Sequence, residues 1–116
     1  MSFVCYHLHS HDSLLDSCSK FSEYVDLAKA QGMNAIASTE HGLPRSWVEK
    51  KQACDAAGIK FIFGVEAYLT KSYAEKQRDN YHVVLLAKNN DGRHELNELM
   101  EFASRPDHFY YSPRID

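Results

Sequence analysis

The chain has 116 residues, 44% hydrophobic and 25% charged, with a formal net charge of −3 at pH 7, which is enough for one domain with a core of its own and too little for two. The slightly acidic balance excludes a broad basic surface of the nucleic-acid-wrapping kind, no apolar run approaches the ~20 residues of a membrane span, and no basic-then-apolar leader opens the chain. Cys5, Cys18 and Cys54 form no CxxC pair and are odd in number, so a reducing compartment, the cytoplasm, is expected.

In chain order, "FVCYHL" (3–8) predicts a short strand rich in β-formers. "KFSEYVDLAKAQG" places Phe21, Tyr24, Val25 and Ala28 on one helical face, with Ser19 as N-cap and Gly32 just past the end. "NAIAS" (34–38) predicts a buried strand. Gly42 and Pro44 mark a turn, and a helix is expected from Pro44 to about Ala57, stopped by Gly58. "KFIFGVEAYL" (60–69) predicts a third strand with a glycine inside it, and the polar 70–80 segment an exposed loop. "YHVVLLAK" (81–88) is the clearest strand. "NNDG" (89–92) reads as a turn, and Leu96, Leu99, Met100 and Ala103 set the face of a last helix. The tail "RPDHFYYSPRID" has no periodicity. The order βαβαβ-loop-βα, with near-continuous apolar strands, predicts an α/β fold with a mostly parallel sheet and helices outside. That is part of a barrel or a small open sheet, since a complete (β/α) barrel needs ~250 residues.

Parallel α/β folds gather functional groups at the C-terminal ends of strands. Here those ends carry His7 and His9, then Glu40 and His41, then Glu66. An i, i+2 histidine pair on an extended strand points both rings to one side, and imidazoles mixed with carboxylates suit zinc, manganese or iron. Glu66 sits inside the run "FIFGVEAYL", where a buried carboxylate needs a compensating partner. Glu40 reads either as a solvated carboxylate or as a partner that orients His41. From periodicity alone His82 is an edge or capping histidine. His11, His94 and His108 are expected at the surface. Arg45, Lys50 and Lys51 read as a solvated helix face. Tyr68, Tyr73, Phe109, Tyr110 and Tyr111 read as packing residues rather than a base-stacking set.

Taken in order, "HLHSHDSLLDS", "IASTEHG", "AAGIKFIFGVEAYLT", "HVVLLAKNNDG" and "FYYSPRID" resemble the PHP (polymerase and histidinol phosphatase) domain, in the version at the N-terminus of bacterial DNA polymerase III alpha subunits. The resemblance implies that residues 1–116 are the N-terminal portion of a distorted (β/α)7 TIM-like barrel with a metal cluster at its mouth, of up to three ions in complete members. It implies His7, His9, Asp16, His41, Glu66 and His82 as metal ligands, and here it overrides the bland reading of His82. Glu40 stands where aspartate is usual and Ser17 where glycine is usual. The family continues through further strands bearing a Cys or His and a final Asp-x-His, so one or two ions are expected for this chain. The implied function is a metal-dependent phosphoesterase-type module of a replicative polymerase, linked to 3′–5′ exonuclease activity or to structural support. The alternatives are an independent small phosphoesterase and a non-catalytic metal-binding interaction module. Implied partners are the remaining barrel or polymerase chain, DNA through that polymerase, and further copies of the chain through an open sheet edge; implied localisation is the cytoplasm, or the host's if phage-borne.

Overall fold

In the computed structural model, which describes residues 3–116, the elements run α1 (Phe21–Ala30), β1 (Ala35–Ser38), α2 (Trp47–Ala57), β2 (Lys60–Leu69), β3 (Tyr81–Leu86), α3 (Asn90–Ala103) and β4 (Arg114–Ile115). β2 is the spine. Its first half pairs in parallel with β1, from Ala35↔Lys60 to Ser38↔Phe63. Its second half pairs antiparallel with β3, from Gly64↔Leu86 to Leu69↔Tyr81. β4 adds a parallel pairing at Tyr68 and Leu69.

The α/β class therefore stands, but the sheet is mixed rather than mostly parallel. The reason lies between β2 and β3: a parallel return needs a crossover, usually helical, and residues 70–80 hold no helix. The strand expected at 3–8 shrinks to a single parallel bridge, Cys5↔Ile36. The segment still runs beside β1, with Ala37 N–H donating to the Cys5 carbonyl (2.9 Å) and Thr39 N–H to that of Leu8 (3.1 Å). The helix starts also move. Lys20 rather than Ser19 is the N-cap of α1, its N–H held by Glu23 Oε2 at 2.7 Å. α2 begins at Trp47, behind Ser46 in the left-handed region. "NNDG" is the cap and first turn of α3, with Asn89 Oδ1 accepting from Gly92 N–H at 2.9 Å.

Two apolar clusters flank the spine. Phe21, Val25, Ala28, Ile36, Cys54, Ile59 and Phe61 join α1 and α2 to the β1 side. Val65, Ala67, Leu96, Met100, Ala103 and Ile115 join α3 and β4 to the other half of β2. Burial in the first cluster pushes the Cys54 thiol up to about 11, which makes it an inert packing residue. The tail, featureless as a sequence, supplies β4 and a clamp. Arg114 is buried and donates to the carbonyls of Tyr73 and Glu75 (both 2.7 Å) and of His108 (3.0 Å). His108 is buried rather than exposed, its ring between Tyr73 and Phe102.

Gly64 marks where β2 passes from one pairing to the next. A Cβ there would lie 2.7 Å from Leu86 Cδ2 and 3.0 Å from both Leu85 O and Thr39 Cγ2. Gly64→Ala is expected to destabilise by about 1–3 kcal/mol through overpacking. Urea unfolding measures it, and unchanged stability would contradict this account.

Candidate metal centre

β2 presents Glu66 to the same face as its neighbours' histidines. Glu66 is opposite Val84, so His82, two residues back along β3, shares that face diagonally. His41 continues the line of β1 by bridging in parallel to Glu66, with Glu66 N–H donating to the Glu40 carbonyl (3.0 Å) and Gly42 N–H to that of Glu66 (2.8 Å). His7 and His9 arrive on the extended segment on the far side of β1, and Asp16 from the turn that follows them.

These six side chains meet. Glu66 is buried, and its Oε2 lies 2.9 Å from His7 Nε2, 2.7 Å from His9 Nε2 and 3.7 Å from His41 Nδ1. Its Oε1 lies 2.6 Å from His82 Nδ1. Asp16 Oδ2 is 3.2 Å from His41 Nε2 and 3.9 Å from His9 Nε2. The His9 and His41 rings stack at 4.2 Å, and Tyr68 closes one side with its ring edge against His82 at 5.2 Å. Three sets of ligand atoms, each gathered within 4.8 Å, overlap pairwise: His7–His9–Glu66, His9–Asp16–His41 and His41–Glu66–His82. His9, His41 and Glu66 each belong to two of them.

The electrostatics follow from the crowding. Burial pushes the Glu66 carboxyl up, but the hydrogen bond from His7 and the fields of His41, His9 and His82 outweigh it and hold the group below its ordinary value. Burial and the neighbouring His41 lower the pKa of His9 against the pull of Glu66 and Asp16. An ionised carboxylate beside a neutral imidazole is the protonation state that divalent cations require of their ligands. The fit has a sharper mark. His9 Nδ1 and His41 Nδ1 are enclosed and accept or donate no hydrogen bond, although buried polar atoms are nearly always paired. With nitrogen and oxygen donors so placed, the cluster fits a divalent metal ion.

Behind this cluster lies a network that sequence reasoning missed. Glu40 is neither solvated nor in contact with the His41 ring. It is buried and accepts from Ser10 N–H (3.0 Å), Ser10 Oγ (2.5 Å), Ser13 Oγ and Lys50 Nζ (2.7 Å). Its link to His41 runs through Ser13, whose Oγ also receives the His41 N–H at 3.2 Å. Lys50, read as part of a solvated face, is buried and bridges Glu40 to Asp12 Oδ2 (2.9 Å) and Ser38 Oγ (3.1 Å). Its signal was present: Lys50 lies on the inward stripe of α2 between Trp47 and Cys54, at i, i+3, i+7. Burial raises the Glu40 carboxyl, but the bonds from Lys50, Ser10 and Ser13 outweigh it and hold its pKa below the ordinary value. The His7-to-Asp16 loop is thus pinned from beneath. His11 and His94 stay outside the cluster, both away from the buried face.

A model of the PHP domain matches residues 6–116. The DNA polymerase III subunit alpha of Borreliella burgdorferi is 41% identical over 120 residues, covering 98% of this chain and 10% of that protein. The subunits of Treponema pallidum and Aquifex aeolicus are each 38% identical, covering 100% and 98% of this chain and 10% and 11% of theirs. The chain thus spans about a tenth of the length of these relatives. Among solved structures, an amidohydrolase from Chromobacterium violaceum with bound sulfate and no metal superposes with a TM-score of 0.60 at 25% identity, over 85% of this chain and 34% of that one.

Proposed function

The chain belongs to the PHP domain family, and from that premise we propose that it carries the first part of a metal-dependent phosphoester-hydrolysing site, as a module of a replicative DNA polymerase alpha subunit. The observation that carries this reading is the set of three overlapping ligand groups hinged on His9, His41 and Glu66. His7, His9, Asp16, His41, Glu66 and His82 would hold one or two zinc, manganese or iron ions. When bound, such ions supply Lewis acidity that activates water and offsets charge on phosphoryl oxygens. The chain's own contribution is positional. Glu66 offers its two oxygens to different histidines, Asp16 reaches the His41 and His9 rings from the solvent side, and Glu40 with Lys50 fixes the loop that carries His9.

A supporting role without turnover is the second reading. It is favoured by the exposure of His7 and His82, whose side chains remain 55% and 49% accessible and leave part of the site without walls. Hydrolysis of p-nitrophenyl phosphate and of single-stranded DNA by residues 1–116 with manganese tests the proposal. Weak turnover that is lost in His7→Ala/His9→Ala is expected, together with zinc, manganese or iron in the purified chain and none in the double variant. Metal without turnover would favour the supporting role. Equal metal content in both proteins would overturn the site.

A further inference from the structure

Outside the metal cluster, a small recess of 210 Å³ lies between the end of the 70–80 loop and the tail, lined by Arg78, Asn80, Tyr110 and Tyr111. Three features set it apart from packing. Tyr111 is 70% exposed and has a φ of +61°, a left-handed backbone that is a genuine outlier for a bulky residue. Such outliers persist where the surroundings enforce them, and they concentrate at functional sites. Here the enforcement is visible. Tyr110 and Ser112 bridge across Tyr111, with Tyr110 N–H on the Ser112 carbonyl at 3.1 Å, so the Tyr111 ring is thrust outward. The Tyr110 ring meets it edge-on at 4.7 Å.

The second feature is Arg78. Its guanidinium lies over the Tyr111 ring at 4.0 Å and, among the described residues, has no carboxylate partner. The third is Asn80, whose Nδ2 donates to Ser112 Oγ at 3.2 Å while its Oδ1 has no donor. A flat aromatic face and a guanidinium with no carboxylate partner match two parts of a nucleotide, a base to stack and a phosphate to pair, while Asn80, its Oδ1 enclosed, ties the end of the loop to the tail.

We propose that Tyr111 and Arg78 form a stacking subsite for one base and its phosphate in single-stranded nucleic acid. The base takes the face that the guanidinium covers, and Arg78 turns to the adjoining phosphate. An exposed cation–π pair is weak enough to exchange in this way, and base–aromatic stacking tolerates any sequence. The net charge of −3 excludes a long basic groove but not a platform for one base. The subsite also adjoins the proposed reaction centre: Asn80 precedes His82 by two positions, and Arg114, just beyond the recess, pairs with Tyr68, the ring that flanks His82. The inference deepens the phosphoesterase reading by naming a strand of nucleic acid as what is held. It rests on that reading only for this placement.

The test separates the two. Fluorescence anisotropy with a labelled oligothymidylate, in EDTA, measures binding by residues 1–116 with no metal in play. Tyr111→Ala is expected to weaken binding about tenfold, and Tyr111→Phe to retain it, since the ring stacks and the hydroxyl does not. Arg78→Gln is expected to reduce the slope of log affinity against log salt by about 0.7, the share of one phosphate contact on a single strand. His9→Ala should bind as the parent does. Absence of binding by the parent chain, unchanged affinity in Tyr111→Ala, an unchanged salt slope in Arg78→Gln, or loss in His9→Ala would each overturn the subsite. A proline-rich peptide bound in a Tyr111-dependent way, with no oligonucleotide bound, would assign the platform to a protein partner instead. Failed hydrolysis with intact binding would count against the reaction centre alone.

Discussion

Lys50→Met is expected to destabilise the fold by about 3–5 kcal/mol, the range for removing one partner of a buried ion pair. The Lys50 side chain is 3% accessible and that of Glu40 1%, so the carboxylate left behind cannot be reached by water. Asp12 and Ser38 lose a contact in the same step. Against a total of ~5–15 kcal/mol for a domain, this is a large fraction. Urea unfolding at pH 7 reads it directly, and a loss below about 1 kcal/mol would show that the network is dispensable. The pH dependence has a defined sign. Because the Glu40 carboxyl is held below its ordinary value in the folded chain, the unfolded chain binds protons first as pH falls. The contribution of Glu40 is therefore full above its unfolded pKa and lost as pH drops through the folded one. In Lys50→Met the stranded carboxylate becomes neutral in acid, so the gap between parent and variant should narrow there. Lys50→Met with Glu40→Gln should recover part of the loss at pH 7.

Glu66→Gln is expected to lower zinc or manganese affinity more than the ~10–100-fold typical of losing an outer hydrogen-bond partner of a ligand. The substitution keeps the shape and removes the charge. It also puts a donor where one of the two oxygens now accepts, and those oxygens face His7, His9 and His41 on one side and His82 on the other. Both sets that share Glu66 are weakened together. Asp16→Asn should do less, because Asp16 belongs to a single set and its side chain is 45% accessible. Calorimetric titration of the chelator-treated chain measures both. Equal affinities for the parent and Glu66→Gln would remove Glu66 from the centre.

What sequence reading could and could not reach follows from range. Helical faces and strand runs are local patterns, and α1, β1, β2, β3 and α3 are found close to where periodicity puts them. Strand direction is not local: nothing within "YHVVLLAK" says that it runs against β2, and the evidence was the missing helix before it. His7, His9, His41 and Glu66 were legible because strand ends converge by rule. His82 was not, since its face is set by antiparallel register, and only the ordered motifs of the PHP family drew attention to it. Lys50 carries the charge of a surface residue but sits on the inward stripe of α2, and its place on the helix decides its burial. The polar partners Ser10, Ser13 and Glu40 lie up to 30 positions apart, a separation that no window sees. β4 was lost because two residues are too few to show a period.

Arg114 has a consequence of a different kind. Its bond to the Tyr73 carbonyl joins positions 41 apart, and with the Glu75 and His108 carbonyls it solvates a buried guanidinium using backbone alone. Backbone acceptors are present whatever the side chains, so residues 73, 75 and 108 can drift in sequence without breaking the clamp, whereas the arginine cannot. Lysine brings a single nitrogen and no fork to span three carbonyls. The course of the 70–80 loop, and with it the approach to His82, is therefore set by a side chain 39 positions beyond Glu75. Arg114→Lys would loosen that loop, and the first sign would be faster trypsin cleavage after Lys76 and Arg78.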